Sequence, residues 1–220
     1  MNRQRFEIEG GNPISGEVQA SGNKNAALPL LCTCLLTDQD VILRNVPAIG
    51  DVGHLLEILA DLGVTVEKPE AGVVKLNASG VNGKQPNAAI AKQIRASILL
   101  AGPLLAQRGN VELPPPGGDV IGRRRIDTHV LGLTGLGASF EATRDSFQFR
   151  VNGRLRGAEL FLDEASVTAT ENIVMAASLA EGETVIMNAA SEPHIQDLCR
   201  LLNEMGADID GIGTNRLKIN

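Results

Sequence analysis

Aromatic side chains are nearly absent: the 220-residue chain has no tryptophan, no tyrosine and only five phenylalanines. That removes the stacking platforms with which proteins hold unpaired bases. A formal net charge of −6 also argues against binding nucleic acid through its phosphates. Cysteine is scarce. Cys32, Cys34 and Cys199 fit neither a disulfide framework nor a zinc-ligand spacing, which suits a reducing, cytoplasmic setting, and no metal is expected. The longest nearly continuous apolar run, Ala26–Leu36, is too short to span a bilayer and contains Pro29. No basic start followed by an apolar core marks a secretory signal. What remains is ordinary globular composition, 43% hydrophobic and 21% charged, which suits one or two domains with an aliphatic core.

Three segments share one grammar. Val41 to Leu43 reads as a strand, Asn45-Val46-Pro47 as a turn, and Val52, Leu55, Leu59 and Leu62 as a helical stripe closed by Gly63. The third copy runs Val185-Ile186-Met187, Asn188-Ala189-Ala190, then Ile195, Leu198, Leu202 and Met205 before Gly206. The second is looser: Val111 to Leu113, a Pro-Gly loop, then Ile126, Val130, Leu133 and Leu136 before Gly137. The closing glycines recur at roughly 70-residue intervals and suit left-handed helix caps. A small-residue-rich helix is expected ahead of each copy, at 24–36, 91–106 and 169–179, the last opening on the capping-box spacing Thr168-Ala169-Thr170-Glu171. Two short strands should follow each closing glycine, such as 147–151 and 159–162. Ile8-Glu9-Gly10 and Val18-Gln19-Ala20 look like the strand pair that opens a unit. The expected fold is α/β, three units of strand, helix, strand, helix, strand, strand packed around a shared centre.

Chemistry concentrates in three places. Ser21-Gly22-Asn23-Lys24-Asn25 sets a cation and two amides at a helix start, where free N–H groups favour anions. The same residues also suit an ordinary cap with Lys24 a solvated charge. Pro114 to Arg125 joins a Pro-Gly-Gly loop to Asp119, Arg123, Arg124 and Arg125. A loop of this kind suits a lid over an anionic substrate. Arg95 stands at the opening of the second unit's first helix. Asp51 reads as a helix N-cap, His129 is left unassigned, and the cysteines read as small core residues.

These stretches resemble the enolpyruvyl transferase family. The likeness rests on Ser21-Gly22-Asn23-Lys24-Asn25-Ala26-Ala27-Leu28-Pro29, Ile94-Arg95-Ala96-Ser97 and Pro116-Gly117-Gly118-Asp119-Val120-Ile121-Gly122. It extends through Ile126-Asp127-Thr128-His129, Gly153-Arg154-Leu155-Arg156-Gly157-Ala158, Ser166-Val167-Thr168-Ala169-Thr170-Glu171-Asn172 and Gly182-Glu183-Thr184. The Pro-Gly-Gly loop favours the branch acting on UDP-N-acetylglucosamine over the shikimate-pathway branch, which lacks it. The resemblance implies an inside-out α/β barrel of three six-element repeats over residues 21–220, with residues 1–20 a strand pair that packs with a second domain. It also implies transfer of the enolpyruvyl group of phosphoenolpyruvate to the 3-hydroxyl of UDP-N-acetylglucosamine, with phosphate released and no cofactor. That step is the first committed one in peptidoglycan and cell-wall synthesis.

Position by position, the resemblance assigns Lys24, Asn25 and Arg124 to phosphoenolpyruvate. Asn25 and Arg95, the run Arg124, Arg125, Ile126, Asp127 and Thr128, and Glu164, Ala165, Ser166 and Val167 go to UDP-N-acetylglucosamine. Asp119 becomes the general acid that protonates the methylene carbon. Many members carry cysteine there, the thiol attacked by fosfomycin, so aspartate implies insensitivity to that drug. Glu164 departs from the lysine common in the family. The family is about twice this length, so the chain is expected to supply one wall of a cleft between two domains. A paired-chain enzyme and a non-catalytic nucleotide-sugar-binding module are the competing readings.

Overall fold

Small aliphatic side chains build the centre of the molecule. The computed structural model describes residues 5–115, 117 and 125–220, so the expected site residues Asp119 and Arg124 lie outside the described residues. The first unit contains α1 (Lys24–Cys32), a 3-10 turn (Thr33–Leu36), β1 (Val41–Leu43), α2 (Gly50–Asp61), β2 (Thr65–Glu67) and β3 (Val74–Asn77). The second has α3 (Ala88–Ala91), a 3-10 stretch (Arg95–Leu100), α4 (Ala101–Arg108), β4 (Asn110–Leu113), α5 (Asp127–Gly135), β5 (Ser139–Ala142) and β6 (Phe147–Arg150). The third runs β7 (Glu159–Phe161), α6 (Val167–Ala177), β8 (Thr184–Met187), α7 (Pro193–Glu204), β9 (Ile209–Asp210) and β10 (Arg216–Ile219).

The repeat is explicit in the sheets. Among the described residues they are ordered β1-β3-β2, β4-β6-β5 and β7-β8-β10-β9. In each unit the last strand therefore lies between the other two, antiparallel to both. Strand β7 adds to the third sheet parallel to β8. This corrects one expectation: Phe147–Arg150 pairs with Ser139–Ala142, while Glu159–Phe161 opens the next unit. Parallel pairing needs a crossover, and α6 provides it. The closing glycines adopt φ of +101° at Gly63, +97° at Gly137 and +108° at Gly206, as the pattern predicts. Asn45 and Asn188, each just past its unit's β1 or β8 strand, share a left-handed φ near +57°. That conformation is tolerated by asparagine and few other side chains.

The leading helices of the three units meet in the core. Helix α6 is buried from Ala169 to Ala177, and α4 packs against it and against the Thr33–Leu36 turn. Two further expectations shift. The helix predicted over 91–106 is broken into α3, a 3-10 stretch and α4. Pro103 lacks an N–H and crowds the carbonyl four residues back, which favours the tighter winding before Ala101. Helix α6 is capped by Ser166, whose Oγ accepts from Ala169 N at 3.4 Å, so the Thr168–Glu171 capping box is not formed. Residues 6–20 contain no strand: Ile8–Gly10 and Val18–Ala20 do not pair, and Phe6, Ile8, Ile14 and Val18 are each at least 88% exposed. Among the described residues no sheet edge lies beside them. Among the described residues no helix is long and apolar enough to cross a membrane.

Candidate active site

Helix starts from all three units converge on one cleft of about 600 Å³. Lys24 and Asn25 begin α1, Asp51 lies in the first turn of α2, and Val167 begins α6. Arg95 opens its 3-10 stretch, and Glu192 caps the start of α7. Free N–H groups and positive dipole ends from four helices of nine residues or more therefore point toward one space, an arrangement that favours an anion. Asn23 caps α1 by accepting from Ala26 N at 3.1 Å, which leaves Asn25 exposed on the cleft. Asp51 is not the N-cap of α2; Ile49 holds that position. Its carboxylate instead pairs with Lys24 Nζ at 2.8 Å.

A buried polar chain fixes the cleft wall beneath Arg95. The Asn172 amide oxygen accepts from Gly102 N at 2.7 Å, and its Nδ2 donates to Ile98 O at 2.8 Å. That same Nδ2 lies 3.0 Å from His129 Nδ1. Because Nδ2 can only donate, His129 Nδ1 accepts and its Nε2 carries the proton toward Thr168 Oγ1, 3.1 Å away. Burial, and behind it the charge of Arg95, holds the His129 pKa down at about 3, so the ring is neutral. A buried neutral imidazole holding Thr168 and Asn172 is a strut. On α6 the next group is Glu171, also on the cleft and 1% exposed. Burial first, and Glu192 second, push its carboxyl up to about 8.

The remaining expected site residues form a second cluster at the start of α5. Thr128 Oγ1 donates to Asp163 Oδ1 at 2.7 Å and approaches Glu164 Oε1 at 3.5 Å. Arg125 pairs with Asp127 at 2.8 Å, and Asp163 and Glu164 add to the field that favours its charge. Ile126 is half-buried, as are Ser166 and Val167, while Glu164 and Ala165 are exposed. Of these residues only Val167 also lines the cleft. His129 joins the two clusters, adjoining Thr128 in sequence and holding Thr168 in space.

Known proteins resemble the chain throughout. Residues 8–220 match the family described as EPSP synthase (3-phosphoshikimate 1-carboxyvinyltransferase). The chain belongs to the EPSP synthase family. It is 56% identical to the UDP-N-acetylglucosamine 1-carboxyvinyltransferase of Treponema denticola, over 97% of this chain and 50% of that protein. The Borreliella burgdorferi protein of the same name is 53% identical over the same shares. The chain thus spans about half the length of the curated relatives it matches. Among solved structures, the enolpyruvyl transferase NikO from Streptomyces tendae superposes with a TM-score of 0.79 at 20% identity, covering 96% of this chain and 49% of that one. EPSP synthase from Acinetobacter baumannii gives 0.73 at 23% identity, covering 93% and 46%. The α/β fold is therefore that of the enolpyruvyl transferases.

Within this EPSP synthase family member, motif reading missed several cleft residues. Asp51 had been read as a cap, and Glu171 as half of a capping box. Glu192 and His194 also line the cleft. Being the one charged residue of α6 (Val167–Ala177) is the signal that singles out Glu171. Gly117 lies against the cleft edge. A Cβ on Gly117 would lie 1.5 Å from the carbonyl oxygen of Lys92, the residue before cleft-lining Gln93. Only glycine permits that approach.

Proposed function

We propose that the chain is the first, substrate-binding part of a UDP-N-acetylglucosamine 1-carboxyvinyltransferase. The whole enzyme moves the enolpyruvyl group of phosphoenolpyruvate to the sugar 3-hydroxyl, releases phosphate, and starts peptidoglycan synthesis in the cytoplasm. The observation that carries this reading is the cleft itself, which brings Lys24, Asn25 and Arg95 to converging helix starts. The half-length coverage of named relatives supports the rest. In this reading the three units close as an inside-out α/β barrel. Residues 1–20 pack with a second domain, which covers Phe6, Ile8, Ile14 and Val18.

Lys24 and Arg124 hold the phosphate and carboxylate of phosphoenolpyruvate, and Asn25 holds the amino sugar beside it. Arg95 supplies a fixed cation at the cleft wall. Freeing Lys24 from Asp51 is inexpensive, because an exposed pair of this kind contributes about 0.2–1 kcal/mol. The start of α5 and the segment Glu164–Val167 receive the uridine diphosphate. Thr128, Asp163 and Glu164 accept from ribose or base donors, since carboxylates cannot hold phosphate directly. Asp119 protonates the methylene carbon as the sugar oxygen bonds to the adjacent carbon, its hydroxyl proton passing to a base supplied by the second half of the enzyme. Phosphate then leaves and a methyl proton returns to the Asp119 carboxylate, leaving the enol ether.

The shikimate-pathway reaction is the second reading, favoured by the family description alone. The test joins this chain to the second half of the Treponema denticola relative and measures phosphate release from phosphoenolpyruvate. Release that depends on UDP-N-acetylglucosamine and disappears in Asp119→Ala is the expected result. A folded chimera that responds only to shikimate 3-phosphate would overturn it.

A further inference from the structure

We propose that Glu171 is a ligand-contacting residue at the floor of the cleft, donating its carboxyl O–H to an oxygen of a bound carboxylate or phosphate. The inference rests on the phosphoenolpyruvate reading above and extends it to a residue to which that reading assigned no ligand.

Glu171 follows Val167 and Thr168 by four and three residues, so all three share one face of α6, and all three line the cleft. The side chain is 1% exposed, yet its Oε1 has no hydrogen-bond partner among the described residues. Native proteins rarely leave a buried polar atom unmatched, and such an atom beside a cleft marks a place where a ligand completes the bonding. Among the described residues no cation forms an ion pair with it. Lys24 is engaged with Asp51, and Arg95 acts on His129. Glu192, at the N-cap position of α7, adds negative charge near Glu171, and the buried thiol of Cys32 on α1 also lies within its field. His194 stands at the cleft beyond Glu192. A carboxyl so placed takes up a proton at neutral pH. As a neutral acid it is a donor in search of an acceptor, and an anion seated at the helix starts provides one. Ionised, it would instead set a third carboxylate beside Asp51 and Glu192 and repel that anion.

The test uses the 220-residue chain and its Glu171→Gln and Glu171→Ala variants. Phosphoenolpyruvate binding is followed by calorimetry between pH 6.5 and 9.5, with inorganic phosphate as a second probe. Wild type should lose affinity about tenfold across this range. Glu171→Gln, which keeps an uncharged donor, should change much less, and Glu171→Ala should bind weakly at every pH. Loss of phosphoenolpyruvate but not phosphate affinity in Glu171→Ala would put the contact on the carboxylate; loss of both would put it on the phosphate. Identical pH profiles for wild type and Glu171→Gln, with binding intact, would overturn the role of Glu171 alone. Absence of binding by every form would overturn the phosphoenolpyruvate reading and the ligand assigned here together. Carbon-13 spectra of the labelled glutamate carboxyls give an independent check: a Glu171 signal titrating in the ordinary carboxylate range would contradict the proposal whether or not ligand binds.

Discussion

Lys24 and Asp51, which begin two different helices of the first unit, face each other across the cleft at 2.8 Å. The pair keeps the cleft's exposed lysine neutralised until an anion competes for it. Lys24→Ala should therefore lower phosphoenolpyruvate affinity tenfold or more, equivalent to about 1.4 kcal/mol. Asp51→Asn should raise it several-fold. Both should alter stability by less than about 1 kcal/mol, because the pair is exposed. Calorimetry and urea denaturation on the same preparations separate the two effects.

Asn172 joins α6 to the 3-10 stretch, α4 and α5 through three buried partners. Replacing it with leucine leaves Gly102 N and His129 Nδ1 unmatched, at about 1–3 kcal/mol for each buried group, while Ile98 O keeps the N–H of Ala101. Urea unfolding of Asn172→Leu should show a loss of about 2 kcal/mol or more.

Stability should fall on both sides of mildly acidic pH, for opposite reasons. His129 has a folded pKa of about 3, against 6.5 in an unexceptional setting. The unfolded chain therefore binds a proton that the folded chain refuses, and stability drops as pH falls from 6.5 toward 3. Glu171 is raised from 4.5 to about 8. Its contribution is complete below 4.5 and is lost as pH rises through 8. Unfolding midpoints across pH should show the alkaline loss diminished in Glu171→Gln and the acid loss diminished in His129→Gln.

Aspartate at position 119 predicts no fosfomycin adduct, since a carboxylate does not form the thioether. Intact-mass spectrometry should find the chain unmodified by the drug and find one adduct on Asp119→Cys. An adduct on the wild type would contradict the assignment of position 119.

The sequence displayed its repeat openly because backbone necessity leaves a mark in residue type. Gly63, Gly137 and Gly206 must be left-handed, and few residues but glycine suit that. The grouping of Lys24, Asn25 and Arg95 on one cleft was legible for a related reason, since each stands at a helix start. Glu171 was not, because a capping box and a buried cleft acid have the same local spacing. Only the packing of α7 against α6 and the cleft they share distinguish them. Asp51 was misread similarly, as its partner lies 27 residues away. Ile8–Gly10 and Val18–Ala20 stand unpaired in this chain, because pairing depends on a neighbouring edge, which local alternation does not encode.

The most direct test of the account is calorimetric titration of UDP-N-acetylglucosamine into the purified 220-residue chain, with phosphate release from phosphoenolpyruvate measured in parallel. Binding that is weakened in Arg95→Ala, with no phosphate released by the chain alone, is the predicted result. A folded chain that ignores UDP-N-acetylglucosamine, or prefers shikimate 3-phosphate, would contradict it.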